Sequence, residues 1–140
     1  MTKTRATQVT DVVVVAIPVR DQDAALLFYT EVLGLEVVAD DLVGPGFRWV
    51  EVRPPGSAMA LALIAPEDGV PPGVDTGIRL TVADAAAAHA ALRDSAVEVG
   101  ELLLWTGAPP MFAFSDPDGN RLYFVQQDYA TAAGRTKPRT

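Results

Sequence analysis

An internal repeat with a constant spacing of 63 residues constrains the fold of this chain more than any other feature. Gly56 is followed by Gly119 at that spacing (119 − 56), and Asp21 by Asp84 (84 − 21). Self-similarity of this kind indicates two copies of one supersecondary unit that bury their apolar faces together. With 140 residues, 49% of them apolar, the chain can bury one core of ordinary size. We therefore predict one compact α+β unit made of two fused modules.

Each half is predicted to be a βαβββ module, because a strand-length apolar segment, an amphipathic helical stripe and a hairpin follow in the same order. The first half is predicted to contain a strand Val12–Val19, a helix capped by Asp21 and ended by Gly34, a strand Leu35–Ala39, a loop Asp40–Gly46 and a hairpin of Phe47–Arg53 with Met59–Ala65. The second half is predicted to contain a strand Gly77–Ala83, a helix Ala85–Ser95 capped by Asp84, a strand Val97–Leu103 and a hairpin of Met111–Ser115 with Arg121–Gln127.

These elements predict the domain organisation. The modules are expected at residues 11–66 and 75–127, with a Pro- and Gly-rich linker at Glu67–Val74. Residues 1–10 and 129–140 are polar and lack periodicity, so we predict that they are flexible ends.

Composition and charge limit the possible partners and compartment. The chain has no cysteine, which rules out disulfides and thiolate metal sites and predicts a cytoplasmic location. It carries 11 basic and 18 acidic side chains, a net charge of −7. A surface with this net negative charge repels phosphate backbones and anionic lipids and attracts cations. We therefore expect no nucleic acid or membrane partner. The apolar run Val12–Val19 is far too short to cross a bilayer.

Three features together resemble the vicinal-oxygen-chelate superfamily, the family of glyoxalase I, extradiol dioxygenases, methylmalonyl-CoA epimerase and the bleomycin-resistance proteins. They are the doubled βαβββ unit, the helix end Phe-Tyr-x-x-Val-Leu-Gly-Leu at residues 28–35, and Asp-Pro-Asp-Gly-Asn-Arg at residues 116–121. The resemblance covers residues 11–127. It implies that the modules form a curled mixed-sheet cup, each contributing half. In the metal enzymes of the family, ligands from strand 1, strand 5 and the last hairpin strands bind one divalent ion inside the cup.

The positions that correspond to those metal ligands lack suitable donor atoms. The resemblance assigns them to Val14, Ala60, Gly77 and Tyr123, and the repeat spacing relates them in pairs (77 − 14 and 123 − 60). Hard or borderline divalent cations prefer imidazole nitrogen or carboxylate oxygen. The chain has one histidine, His89, which we interpret as an ordinary residue of a helix surface. We therefore predict no bound metal and no cofactor.

Strand alternation then predicts the lining of the cup. Small residues, including Val14, Ala16, Ala60 and Ala62, stand on the same face as an aromatic group, while Val50, Val52 and Ala113 are assigned to the helix-packed face. The predicted ligand-binding residues are Phe47, Trp49, Glu51, Arg79, Phe112, Phe114 and Tyr123. Two alternatives remain open. The aromatic face can pack against the partner module or a second subunit, and Glu51 and Arg79 can neutralise each other as a structural pair.

The resemblance to the bleomycin-resistance branch favours a binding protein that sequesters an antibiotic or metabolite. Aromatic rings and an acidic surface predict a planar ligand that is neutral to cationic. A metal-dependent lyase, isomerase or dioxygenase would need ligands that are missing here. The alternative is a metal-free enzyme with Glu51 as base and Arg79 or Tyr123 as electrophile. We also expect a homodimer, because pairing would cover strand edges and cup mouths.

Overall fold

The computed structural model describes residues 6–66 and 70–127. Most of the predicted flexible ends, residues 1–5 and 129–140, and residues 67–69 of the predicted linker lie outside the described part. The elements in chain order are β1 (Val14–Pro18), α1 (Gln22–Leu27) with a π-helical turn (Phe28–Val32), β2 (Glu36–Leu42), β3 (Arg48–Arg53), β4 (Ala60–Ile64), β5 (Asp75–Val82), α2 (Ala85–Asp94), β6 (Met111–Ser115) and β7 (Arg121–Gln126).

These strands form two mixed sheets, which confirms the predicted α+β class. The first sheet has the strand order β1-β4-β3-β2 and the second β5-β7-β6. In each sheet the module's first strand lies parallel to its last strand, and the remaining pairs are antiparallel. The module boundaries 11–66 and 75–127 remain a prediction.

Both helices begin where the sequence predicts. The carboxylate of Asp21 accepts hydrogen bonds from the backbone N–H groups of Asp23 and Ala24, and that of Asp84 accepts one from Ala87. Side-chain oxygens at this position satisfy backbone donors that have no partner within the helix. The prediction of an uninterrupted first helix is wrong in its second half. There the N–H of Leu33 donates to the carbonyl of Phe28 at 3.2 Å, which is the wider π-helical spacing.

The predicted strand Val97–Leu103 is also wrong as a continuous strand. The segment meets β6 only at two isolated bridges, Val99 with Phe114 and Leu103 with Met111. The N–H of Gly100 donates to Ala113 and the N–H of Leu103 to Met111, so three steps along this segment match two steps along β6. The extra residue interrupts the ladder.

One core joins the two modules. It contains residues from both sheets and both helices, among them Ile17, Val50, Leu63, Leu92, Phe112 and Leu122. At its edge the β6–β7 turn reaches across to the first module. The amide nitrogen of Asn120 donates to the carbonyl of Pro18 at 2.8 Å, and the hydroxyl of Tyr29 donates to Asp116 at 2.8 Å. The modules therefore share both apolar packing and buried hydrogen bonds.

Candidate functional site

The first sheet has one face turned away from the core, and this face carries the candidate site. Ala16 lies beside Ala62 across β1 and β4, and Ala62 lies beside Glu51 across β4 and β3. Side chains alternate along each strand, so Ile17, Val50 and Leu63 point to the opposite, buried face. We call the face of Ala16, Ala62 and Glu51 the cup face. On this face Ala16 is exposed, whereas Ala62 is covered by its neighbours.

An open cavity of about 350 Å³ lies over the part of this face that carries Ala16. Phe47 and Trp49 stand at its side, with ring centroids 6.4 Å apart and planes tilted by 49°. The volume lies within the range of small-molecule sites, roughly 300–1,000 Å³. The cavity is lined by Ala16, Pro18, Phe47, Trp49, Ile64, Ala65, Pro66 and Val70.

Five of these lining residues were not among the sequence predictions. Pro18 and Ile64 have the same strand parity as Ala16 and Ala62, so extending the alternation by one step would have found them. Ala65, Pro66 and Val70 follow the end of β4. No periodic signal in the sequence indicates where such a segment runs.

Glu51 is engaged by its neighbour on the same strand. The indole Nε1–H of Trp49 donates to Glu51 Oε1 at 2.8 Å. Arg79 belongs to the second sheet, and among the described residues no ion pair joins it to Glu51. Glu51 was predicted to be an isolated acid in the cup, but it accepts a hydrogen bond from the indole of Trp49.

Arg79 and Tyr123 form a separate group on the second sheet. The guanidinium carbon of Arg79 lies 4.1 Å from the centroid of the Tyr123 ring, a cation–π contact. Arg79 also donates to the carbonyl of Gly77 at 2.8 Å, and the Tyr123 hydroxyl donates to Asp75 at 3.1 Å. Arg79 lines a different cavity, of about 210 Å³, between the modules. These side chains do not contribute to the cavity beside Trp49.

Phe112 and Phe114 do not lie on a cup face, which corrects the prediction. Their exposed fractions are 0% and 1%, and Phe112 packs edge-on against His89 of α2 at 4.8 Å.

The strand pairing explains why these two side chains face the core. In the first sheet, Ala62 pairs with Glu51. In the second sheet, the residue 63 positions after Ala62 is Val125, and it pairs with Met111. The equivalent of Glu51 is thus 60 residues away (111 − 51) rather than 63. An odd difference of three residues moves the side chains to the other face of the sheet.

His89 takes part in the same packing. Its Nε2 lies 2.8 Å from the carbonyl oxygen of Gly100. Since a carbonyl can only accept, this nitrogen carries the hydrogen. The residue links α2 to the segment beside β6.

The four positions that correspond to the metal ligands of the family do not all pair across the strands as predicted. Val14 lies opposite Ala60 as expected, but Arg79, rather than Gly77, lies opposite Tyr123. β5 contains two extra residues between Asp75 and Arg79 relative to β7. Within residues 6–66 and 70–127, no three His, Cys, Asp or Glu side chains are grouped closely enough to hold a metal ion. The donor atoms present do not fit a divalent cation.

The most strongly connected surface charges among the described residues surround Arg48, which lies between Phe47 and Trp49 in the chain. Arg48 donates to Asp40 at 2.8 and 2.9 Å and to Asp23 at 2.8 Å. The hydrogen bonds from Arg48 hold the pKa of the Asp40 carboxyl below its ordinary value. This cross-strand pairing accompanies the extension of β2 to Leu42, into the predicted loop.

Neither helix in the described part of the chain is long and apolar enough to cross a membrane.

Comparison with known proteins gave matches over most of the chain. The family model described as Glyoxalase/Bleomycin resistance protein/Dioxygenase superfamily matches residues 11–124. A crystal structure of a member of that superfamily from Sphaerobacter thermophilus DSM 20745 is similar at 36% identity and a TM-score of 0.80, covering 85% of this chain and 98% of that one. TnmS3, an antibiotic binding protein from Streptomyces sp. CB03234, is similar at 33% identity and a TM-score of 0.77, covering 84% and 96%.

A curated relative matches over a shorter stretch. The uncharacterized protein YetH of Bacillus subtilis (strain 168) is 41% identical over 49 residues, which is 35% of this chain. The match spans 41% of the length of YetH.

Proposed function

Because this chain belongs to the Glyoxalase/Bleomycin resistance protein/Dioxygenase superfamily, we propose that it is a metal-free binding protein that sequesters a small aromatic molecule, of the antibiotic or metabolite type. The observation that carries the proposal is the open cavity of about 350 Å³ beside Phe47 and Trp49. A concave, mostly apolar surface with a few polar groups is the usual form of a small-molecule site. The similarity to TnmS3, which is an antibiotic binding protein, supports the same class of function.

The lining of the cavity favours a planar ligand. Two aromatic rings stand at one side, and the short side chains of Ala16 and Ala65 leave room for a flat ring system. Stacking against such rings adds to the free energy gained from burying apolar area. The net charge of −7 raises the local concentration of cations. The proposed ligand is therefore planar and neutral to cationic.

The proposed function involves no metal because the side chains at the ligand positions lack suitable donor atoms. Val14 and Ala60 offer only hydrocarbon, and Tyr123 is in contact with Arg79. A guanidinium at this point disfavours a nearby divalent cation by charge repulsion.

The alternative is an enzyme of the same family that acts without the usual metal. Arg79 and Tyr123 are then the electrophilic groups, and the observation in its favour is their direct contact at 4.1 Å. Glu51, the proposed base, lies in a different group and is bound to Trp49. That separation makes binding the better-supported function.

We further propose that the protein is a homodimer. The described cavity is lined by first-module residues and the segment after β4, and by no residue of the second sheet. Within the described strands, β1, β2 and β5 each pair on one side only. A second copy would cover these edges and close the open side of the cavity.

The chain offers a matched pair of residues for testing the binding proposal. It has two tryptophans, of which Trp49 lines the cavity and Trp105 is 64% exposed elsewhere. A thermal-shift screen across aromatic antibiotics, aromatic metabolites and divalent metals would identify ligands, because a ligand of the native state raises the apparent stability. Calorimetry then compares Trp49→Ala with Trp105→Ala. We expect Trp49→Ala to weaken binding by roughly 1–3 kcal/mol and Trp105→Ala to leave it unchanged.

An anionic ligand held by Arg79, with an affinity that does not depend on Trp49, would contradict sequestration in this cavity. It would favour the metal-free enzyme acting on a carboxylic acid. A stoichiometric divalent metal that raises the melting temperature would contradict the metal-free assignment.

A further inference from the structure

The hydrogen bond between Trp49 and Glu51 suggests that this acid has a role beyond its charge. The two side chains are two positions apart on β3, so they stand on the same face of the sheet. The donor is the only polar atom of the indole, and it lies 2.8 Å from Glu51 Oε1. Hydrogen bonds to a carboxylate are stronger than those between neutral groups. This contact therefore restrains the orientation of the ring.

The restraint matters because Trp49 is only half-buried. A partly exposed aromatic side chain that samples several rotamers loses entropy when a ligand stacks on it. Phe47 approaches the same ring at 6.4 Å from one side, and Glu51 holds its nitrogen. Together they present one ring plane to the cavity before any ligand arrives.

The carboxylate keeps the capacity for a second contact. Its neighbours across the sheet are Ala39 on β2 and Ala62 on β4, neither of which carries a charge. Within the described residues, Oε1 takes the indole hydrogen, and no hydrogen bond to Oε2 is seen. Glu51 is not itself a lining residue of the cavity, so a cationic group of a ligand has to extend past the Trp49 ring for Oε2 to accept a hydrogen bond from it.

We propose that Glu51 is a specificity-determining residue with two separable roles. It positions the Trp49 ring for every planar ligand, and it contributes a charge contact only to cationic ones. This inference rests on the proposed binding function.

Two substitutions separate the roles. Glu51→Gln removes the charge but keeps a carbonyl oxygen that accepts the indole hydrogen. Glu51→Ala removes both. The probes are acridone, a neutral planar tricycle, and proflavine, a cationic tricycle of similar size. Glu31→Gln removes one charge from an exposed position on the π-helical turn, which controls for the long-range effect of net charge.

The orientation of the ring can be measured without a ligand. Each indole N–H gives a separate nuclear magnetic resonance signal, and the Trp49 signal is identified by its absence from Trp49→Phe. We expect Glu51→Ala to shift this signal and speed its hydrogen exchange, Glu51→Gln to keep most of the protection, and Glu31→Gln to change nothing. The dispersion of the remaining signals checks that each variant is folded.

For the affinities, we expect Glu51→Gln to leave acridone binding within about twofold and to weaken proflavine about tenfold, the scale of one hydrogen bond to a charged group. Glu51→Ala should weaken acridone about fivefold, through the loss of ring orientation, and proflavine further.

An indole signal that is unchanged in Glu51→Ala would overturn the positioning role. Equal losses for the two probes in Glu51→Gln would overturn the charge role. If Trp49→Ala weakens neither probe, or if neither probe binds the wild-type protein, the proposed function and its ligand class fail, while the indole signals still decide whether Glu51 orients Trp49.

Discussion

At the scale of single residues, Asp116 is the one carboxylic acid that is buried in the described part of the chain. The residue is 5% exposed, and its carboxylate accepts hydrogen bonds from the backbone N–H groups of Asp118 and Asn120, from the Asn120 amide and from the Tyr29 hydroxyl. A buried carboxylate is costly unless its oxygens are satisfied. Tyr29 is the donor that comes from the other module.

We predict a pH-dependent cost for Tyr29→Phe. At neutral pH the substitution should lower the free energy of unfolding by about 1–3 kcal/mol, because Asp116 loses a donor. Burial, and next the charge of Asp116, raise the pKa of Tyr29. A raised tyrosine pKa contributes stability below the unfolded-state pKa of about 10, and this contribution is lost as pH rises above it.

The deficit of Tyr29→Phe relative to wild type should therefore shrink above about pH 10. Urea titrations on both sides of that pH measure it. A deficit that is constant with pH would mean that Tyr29 ionises as readily in the folded protein as in the unfolded chain.

At the scale of elements, the bulge in β5 determines which side chain stands opposite Tyr123. Gly77 has a φ of +71°, a conformation that residues with a Cβ rarely adopt. The two extra residues between Asp75 and Arg79 bring Arg79, instead of Gly77, beside the tyrosine ring. The electrostatics of the second sheet's outward face thus depend on one backbone conformation.

Gly77→Ala tests this conformation. A Cβ at this position would lie 3.9 Å from Arg79 Nη1, which is ordinary van der Waals contact. The cost is therefore that of the backbone, about 1–2 kcal/mol of unfolding free energy in chemical denaturation. Gly100→Ala is the matched control, since no positive φ is found there and its Cβ would meet Ala113 at 3.6 Å or more. Equal effects of the two substitutions would contradict the assignment of strain to Gly77.

At the scale of the whole molecule, the shared core predicts cooperative unfolding of the two modules. Trp49 reports on the first module and Trp105 on the second, and the chain has no other tryptophan. Only Trp49 fluoresces in Trp105→Phe, and only Trp105 fluoresces in Trp49→Phe. For each variant, we expect the urea midpoint measured by fluorescence to equal the midpoint measured by circular dichroism on the same variant, once the difference in stability between the two variants is corrected for. Separate midpoints for the two fluorescence signals would mean that the modules unfold independently.

The assembly state is a second property of the whole molecule. We expect light scattering at micromolar concentration to give about twice the chain mass of 14.8 kDa, because a second copy would cover exposed edge strands of the two sheets. A mass near that of one chain would contradict the homodimer and leave the cavity open on one side.

Local sequence signals predicted the elements well. The caps Asp21 and Asp84 and the β6–β7 hairpin appear in the structure. Both halves have a strand, a helix and a hairpin in the predicted order, but the second half lacks Val97–Leu103 as a continuous strand. Each depends on interactions between residues that are close in the chain, such as a side chain that binds a backbone N–H three positions away. The residue types at the cup positions of β1, β3 and β4 followed from the same local alternation.

Only the tertiary structure determined how the repeated elements are aligned with each other. The spacing of 63 residues holds between β4 and β7, but it is 65 from Val14 to Arg79 (79 − 14) and 60 from Glu51 to Met111 (111 − 51). An even change slides a strand along its neighbour, and an odd change turns its side chains to the other face. Strand register depends on contacts between residues far apart in the chain, so a constant repeat spacing could predict Trp49 and Glu51 on one face but not Phe112 and Phe114 in the core.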